Sequence, residues 1–183
     1  MKKTIHSPVV FTIENFLTTA ECSKYIQLSE QIGYKEATVT TTEGQKMIKG
    51  IRNNTRVIKT DFALAAKFWE RIKPFISNAD DGSAPIGVNE QFRFYKYAKG
   101  QRFNKHRDGR FRRNENEESR LTFMVYLNEE YCGGETEFDE FSIVPSTGTA
   151  LIFKHPVKHK GCIIESGTKY AIRTDIMFRK LKK

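Results

Sequence analysis

Apolar and polar positions divide the 183-residue chain into two textures. In the first third the apolar positions recur with a helical period. Thr18 is an N-cap residue and Glu21 follows three residues later, a capping box, and Gly33 can end the helix so begun. Within it Cys22, Tyr25, Ile26, Leu28 and Ile32 fall near one face. A second helix starts at Asp61, places Phe62, Ala65, Phe68, Trp69 and Ile72 at the helical period, and closes at Pro74. Val9 to Ile13 is apolar and β-branched and reads as a short strand, whereas 35–50 is polar and reads as strand or loop. The segment 78–85, with Asn, Asp, Gly, Ser and Pro together, reads as a loop.

From Asn89 onward the pattern is β. Short apolar runs recur at 91–97, 121–127, 149–153, 162–164 and 170–178, separated by turns at Gly100, Gly109, Gly133-Gly134, Pro145, Gly148, Pro156, Gly161 and Gly167. Many short strands with turns at this spacing predict a mainly β sandwich or jelly roll, with the N-terminal helices packed on one sheet. The length fits a single domain over 1–183: a helix-containing N-terminal elaboration at 1–85 and a jelly-roll core at 86–180.

Composition narrows the class. With 38% hydrophobic residues, 14 Phe and 7 Tyr, the chain can fill a core and is not disordered. No apolar run approaches the roughly 18 residues of a membrane span, and Met1-Lys2-Lys3 is followed by no apolar stretch of signal-peptide type. Three scattered cysteines, Cys22, Cys132 and Cys162, form neither a CxxC pair nor a disulfide framework, which suits a cytoplasmic location. The net charge of +9 admits a polyanionic partner without requiring one, since six of the basic residues sit at the two ends.

The candidate chemistry lies in the β half. It holds three of the four histidines: His106, His155 and His159. His106 and Asp108 share one side of an extended chain and can bind one metal ion. A histidine from a distant strand would complete a 2-His-1-carboxylate triad with open coordination positions, as in non-heme Fe(II) oxygenases. Lys169 and Arg173 share a strand face and can both look inward.

Taken as a set, these blocks resemble the 2-oxoglutarate- and Fe(II)-dependent oxygenases, prolyl 4-hydroxylase-like branch. The matching residues are Tyr97, Gly100, Phe103, His106 and Asp108; then Arg120, Thr122, Tyr126, Leu127 and Asn128; then Gly133-Gly134-Glu135-Thr136; then Pro145, Gly148 and Phe153; then His159 and Gly161; then Gly167, Lys169 and Tyr170. Arg52, Asn54 and Arg56 resemble the family's N-terminal region. The resemblance implies a double-stranded β-helix. It implies His106, Asp108 and His159 as iron ligands, with His159 preferred over His155 for its ten-residue spacing to Lys169. It makes Lys169 the cation for the distal carboxylate of 2-oxoglutarate, Tyr126 a hydrogen-bond partner of that carboxylate, and Tyr97 and Thr122 pocket walls. Arg173 departs from the small neutral residue expected there and either assists Lys169 or binds substrate.

The implied cofactor is Fe(II), the cosubstrates are 2-oxoglutarate and O₂, and ascorbate is admissible. The implied reaction is hydroxylation of a C–H bond, foremost of a prolyl or other residue in a protein or peptide. A nucleic-acid or small-molecule substrate ranks lower, and a non-catalytic jelly-roll binding module lower still. Seven basic residues between Lys99 and Arg113 suggest that Arg107, Arg110 and Arg112 steer an acidic partner. Oligomeric state is left open.

Overall fold

In this computed structural model, residues 1–181 are described apart from 42–43, 47, 49 and 79–80. The N-terminal part holds β1 (Lys2–Ser7), β2 (Val10–Glu14), α1 (Thr19–Ile32), β3 (Lys35–Glu36), β4 (Val39–Thr41), β5 (Gly44–Lys46), β6 (Thr55–Thr60) and α2 (Phe62–Ile72). There follow β7 (Ala84–Val88), β8 (Gln91–Ala98), β9 (Phe103–His106), β10 (Glu117–Tyr126), β11 (Tyr131–Gly133) and β12 (Thr136–Glu137). The chain ends with β13 (Ser142–Ile143), β14 (Ala150–Lys154), β15 (His159–Gly161) and β16 (Ile164–Arg179). No helix among the described residues is long and apolar enough to cross a membrane.

Both helix starts follow the sequence signals. Thr18 Oγ1 accepts the Glu21 N–H at 3.2 Å while Glu21 Oε2 accepts the Thr18 N–H at 3.1 Å, a closed capping box. Asp61 Oδ1 accepts the Leu64 N–H at 2.9 Å. Glu21 also pairs with Arg71 and Lys67, tying the first turn of α1 to α2. The buried face of α1 differs from the periodicity in one place. Ser29 is buried and Ile32 is exposed, because Ser29 accepts the Tyr34 hydroxyl at 2.7 Å and so enters the interior with a polar partner.

Among the described residues the strands form a large sheet of ten, ordered β1-β2-β14-β10-β16-β8-β6-β3 with β7 and β11 also on β16, and a small sheet ordered β13-β12-β15-β9. Alternation along each strand sorts side chains between the faces of the large sheet. Phe92, Phe94, Phe123, Val125, Ile152, Ile172 and Ile176 pack with Phe16, Phe68 and Ile72 in one core cluster that includes both helices. Phe68 is its hub, in contact with Phe16, Tyr25, Phe92 and Phe123 at centroid separations of 5.2–6.1 Å. The intervening residues, Tyr95, Tyr97, Thr122, Met124, Phe153, Lys169, Ala171 and Arg173, line a recess also walled by β9 and β15 of the small sheet.

Several elements differ from the sequence reading. The run at 162–164 is no separate strand: β15 ends at Gly161, and Ile164 begins the 16-residue β16. Ala84 and Pro85 belong to β7, which edges β16, although Pro85 reads as loop. The segment 35–50 contains β3 and the β4–β5 hairpin, with 42–43, 47 and 49 outside the described residues. At Gly133 and Gly134 both φ angles are +75°. A Cβ on Gly133 would collide with the Ile163 carbonyl oxygen, and one on Gly134 would lie 2.5 Å from Ile164 Cδ1 and 3.3 Å from Lys169 Cδ. These two glycines let the β11 turn close directly over the strand that carries Lys169.

Candidate metal and cosubstrate site

Strand pairing assembles the histidines. His106 ends β9, His159 opens β15, and the two are cross-strand partners in the small sheet. Their ring centroids lie 4.3 Å apart. Asp108, two residues past His106, swings back between them, its amide held by the His155 carbonyl at 3.2 Å. His106 Nε2 is 3.6 Å from Asp108 Oδ1, and His159 Nε2 is 3.7 Å from Asp108 Oδ2. One donor atom from each residue lies within 4.8 Å of the others.

The hydrogen bonds around the rings set their tautomers. His106 Nδ1 is 2.8 Å from the Asn104 carbonyl oxygen, and His159 Nδ1 is 3.1 Å from that of Val157. A carbonyl only accepts, so both Nδ1 atoms carry the proton and both Nε2 lone pairs turn toward Asp108. Phe103 stacks on His106 at 3.5 Å, and Phe153 packs edge-on against His159 at 4.5 Å, fixing the ring planes. Burial pushes the His159 pKa down to about 4, only partly offset by the Asp108 charge, which keeps the ring neutral. Burial alone would raise the Asp108 pKa. The Arg173 charge beside it leads the effects that outweigh burial and hold the carboxyl well below the usual range. Two neutral imidazoles and one carboxylate, with Nε2 lone pairs convergent, are the donor set that a divalent iron takes.

Lys169 occupies another part of the same recess. It is 4% exposed, its Nζ donates to the Gly134 carbonyl, and the ammonium lies 5.0 Å from the Tyr126 ring and 5.9 Å from the Tyr97 ring. Burial pulls its pKa from 10.5 down to about 8. A buried ammonium held by one carbonyl and two ring faces fits an incoming carboxylate. Tyr97 and Thr122 line the recess. The Tyr126 hydroxyl is engaged with Thr136 Oγ1 at 2.7 Å, and Thr136 is the residue of this pair on the recess wall.

Arg173 is drawn away from the Lys169 end. Its Nη2 lies 3.2 Å from Asp108 Oδ1 and 3.2 Å from Asp175 Oδ1, and Arg93 joins Asp175 at 3.4 Å. Burial opposes its charge, but Asp108 and Asp175 outweigh that and raise its pKa. Of the basic arc, Arg107 Nε donates to the Pro156 carbonyl at 2.8 Å, and Arg110 and Arg112 flank Glu118 at 3.2 and 3.8 Å. Lys105 pairs with Asp139, and Arg113 with Glu90 and Glu117. Four of the arc's seven cations, Lys105, Arg110, Arg112 and Arg113, therefore have carboxylate partners within the molecule. His155, the less preferred histidine of the sequence, is buried behind Asp108, with both ring nitrogens bonded to hydroxyls. Asp175 and Ser119, also in contact with these groups, carried no signal in the sequence, where each reads as an ordinary strand residue.

The comparisons agree with this geometry. Residues 92–174 match the 2OG-Fe(II) oxygenase superfamily. The chain is 23% identical, over 94% of its length and 74% of the relative's, to a protein of Acanthamoeba polyphaga mimivirus named "Putative prolyl 4-hydroxylase". Among solved structures it is similar to the viral collagen prolyl hydroxylase of Paramecium Bursaria Chlorella virus-1 in its 2OG complex, with TM-score 0.64 and 20% identity over 95% of this chain and 98% of that one. It is similar also to the prolyl hydroxylase from Trichoplax adhaerens in complex with a peptide of the hypoxia inducible factor oxygen degradation domain, with TM-score 0.70 and 19% identity over 93% and 84%. Residues 92–174 thus form a 2OG-Fe(II) oxygenase domain, and the chain is a dioxygenase that uses Fe(II), 2-oxoglutarate and O₂, built on the jelly-roll fold that the prolyl hydroxylases share.

Proposed function

We propose that this enzyme hydroxylates a prolyl residue in a protein or peptide, with His106, Asp108 and His159 holding the iron and Lys169 anchoring the 2-oxoglutarate. The observation that carries the site is the placement of three convergent donors and a buried, anion-deficient ammonium in one recess. The prolyl substrate is supported by the relatives, whose names specify collagen and a hypoxia-inducible-factor peptide as targets of those proteins.

Iron, when bound, supplies the activation of O₂ and the oxidising power that cleaves an unactivated C–H bond. The chain does the rest. His106 and His159 present neutral Nε2 lone pairs because their Nδ1 protons are committed to backbone carbonyls. Asp108 stays ionised, held so by Arg173. Three protein donors leave the remaining coordination positions to small ligands. Lys169 orients the dicarboxylate by a charge-assisted hydrogen bond, and Thr136 and Tyr97 line its place. Phe103, Met124 and Phe153 exclude water from the reacting centre.

A nucleic-acid substrate is not favoured. The arc that would steer it is paired with Glu118, Glu117, Glu90 and Asp139, and a non-catalytic module would not need a complete donor set. Among the ion-paired residues of the arc, Arg112 retains the most exposure, at 74% of its side chain, and is well placed to meet an acidic flank of a peptide. The test is mass spectrometry of proline-containing peptides incubated with enzyme, Fe(II), 2-oxoglutarate and O₂. The reading expects a 2-oxoglutarate-dependent gain of about 16 Da on proline, the mass of one inserted oxygen. Gain on a base or a free metabolite with none on any peptide would overturn it.

A further inference from the structure

Each oxygen of the Asp108 carboxylate has its own buried polar partner. Oδ1 meets Arg173 at 3.2 Å, and Oδ2 accepts the Thr122 hydroxyl at 2.5 Å. Behind Thr122 stands His155, 1% exposed, with Nδ1 at 3.0 Å from Thr122 Oγ1 and Nε2 at 2.9 Å from Ser119 Oγ. Ser119 Oγ in turn accepts the Phe111 N–H at 2.8 Å.

We propose that His155, which the sequence offers as a rival iron ligand, is instead a positioning residue: acting through Thr122, it fixes the Asp108 carboxylate in the orientation that ligates the metal. The inference rests on Asp108 being a metal ligand.

Proton directions in the chain are forced by what each group can donate. An ionised carboxylate only accepts, so the Thr122 hydroxyl donates to Asp108. That uses its single proton, and toward His155 it can only accept, so Nδ1 is the protonated nitrogen. Nε2 of the neutral ring then accepts the Ser119 hydroxyl proton, which leaves Ser119 Oγ to accept from the Phe111 amide. The relay runs from Phe111 N–H through Ser119, His155 and Thr122 to Asp108 Oδ2, and every proton in it has an acceptor. A fully satisfied buried network has one arrangement, whereas a carboxylate with a free oxygen has several. His155 grips Asp108 a second time, since its backbone carbonyl accepts the Asp108 N–H at 3.2 Å. Burial lowers the His155 pKa, in keeping with a neutral ring. With both nitrogens engaged by hydroxyls, His155 has no lone pair to offer a metal.

The experiment is titration of the full chain, stripped of metal, with Co(II), followed by visible absorption. Thr122→Val keeps the shape and deletes the hydroxyl; its affinity for Co(II) should fall about 10- to 100-fold, the usual loss when an outer-sphere partner is removed. Thr122→Ser should bind as the parent does. His155→Phe should match Thr122→Val, and the double variant should be no weaker than either, because both cut one chain. His155→Asn, whose amide N–H can take the place of Nδ1–H, should recover most of the loss. Co(II) affinity within about threefold of the parent in Thr122→Val, or His155→Asn no better than His155→Phe, would overturn the relay. If His155→Phe does not fold, the Thr122→Val and Thr122→Ser pair decides alone. A parent chain that fails to take up Co(II), or a His159→Ala chain that binds it equally well, would strike the metal site and not the relay.

Discussion

His106 and His159 lie directly opposite each other across the β9–β15 ladder, although 53 residues separate them in the chain. Antiparallel register therefore sets the spacing of the two imidazole nitrogens proposed to hold the iron, and the loop after His106 has only to return Asp108 to the gap. Alanine at either histidine or at Asp108 should abolish 2-oxoglutarate consumption and lower Co(II) affinity by at least about 100-fold, since one ligand of three is lost. The fold should persist, as circular dichroism would show, because the rings pack at the recess and not in the helix–sheet core. By contrast, His155→Asn should retain turnover.

Lys169 gives a pH signature. Its pKa in the folded chain, about 8, lies below the usual 10.5 because burial disfavours the charge. The sign follows: the folded chain carries this cost in full below pH 8 and sheds it as pH rises toward 10.5. The incoming dicarboxylate needs the charged form. Its affinity should be flat below pH 8 and fall about tenfold per pH unit above it. Calorimetric titration of the Mn(II)-loaded enzyme with 2-oxoglutarate between pH 7 and 9 checks this. In Lys169→Met the affinity should drop by about 1.5–3 kcal/mol at pH 7 and lose the break at 8. A break that persists in that variant belongs to another group.

Asp175 is 1% exposed and sits between Arg173 and Arg93. Asp175→Asn leaves two mostly shielded guanidinium groups sharing a neutral amide. Breaking one side of a buried charge cluster costs on the order of 3–5 kcal/mol, so urea denaturation should show a loss of this size. A loss below about 1 kcal/mol would mean that Asp108 alone compensates Arg173.

The pairing of the basic arc predicts weak electrostatic steering. With Glu118 between Arg110 and Arg112, added salt up to about 0.3 M should lower kcat/KM for a peptide substrate less than threefold. Glu118→Gln should steepen that dependence for an acidic peptide by freeing both arginines. A steep dependence in the parent enzyme would show that the arc acts with its charges unpaired.

The helices and the main strands were legible because local signals agree with the fold: the Thr18 and Asp61 caps, the 3.6-residue period through Phe68, and the alternation that sends Lys169 and Arg173 to one face. His106, Asp108, His159 and Lys169 stood out in the sequence as a spaced, family-like pattern, and the fold brings the four to one recess. What the sequence could not show is how long polar side chains choose partners. Arg173 shares a face with Lys169, yet four residues of extended strand place it beside Asp108. Arg110 and Arg112 could be read either as steering charge or as offset by Glu118 just beyond them, and the Arg112–Glu118 bridge that brings them together is not written in the local pattern. The sequence offered His155 only as a rival to His159, since its burial behind Asp108 depends on β10 delivering Thr122 and Ser119. Ser29 entered the core through a hydroxyl pair that no hydropathy pattern contains.

The most direct test of the whole account is to quantify succinate and hydroxylated peptide together, in the parent enzyme and in His159→Ala, with Fe(II), 2-oxoglutarate and a proline-containing peptide. The account predicts one succinate for each hydroxyproline in the parent, neither product without iron, and neither in His159→Ala. Hydroxyproline formed without 2-oxoglutarate, or undiminished turnover in His159→Ala, would contradict it.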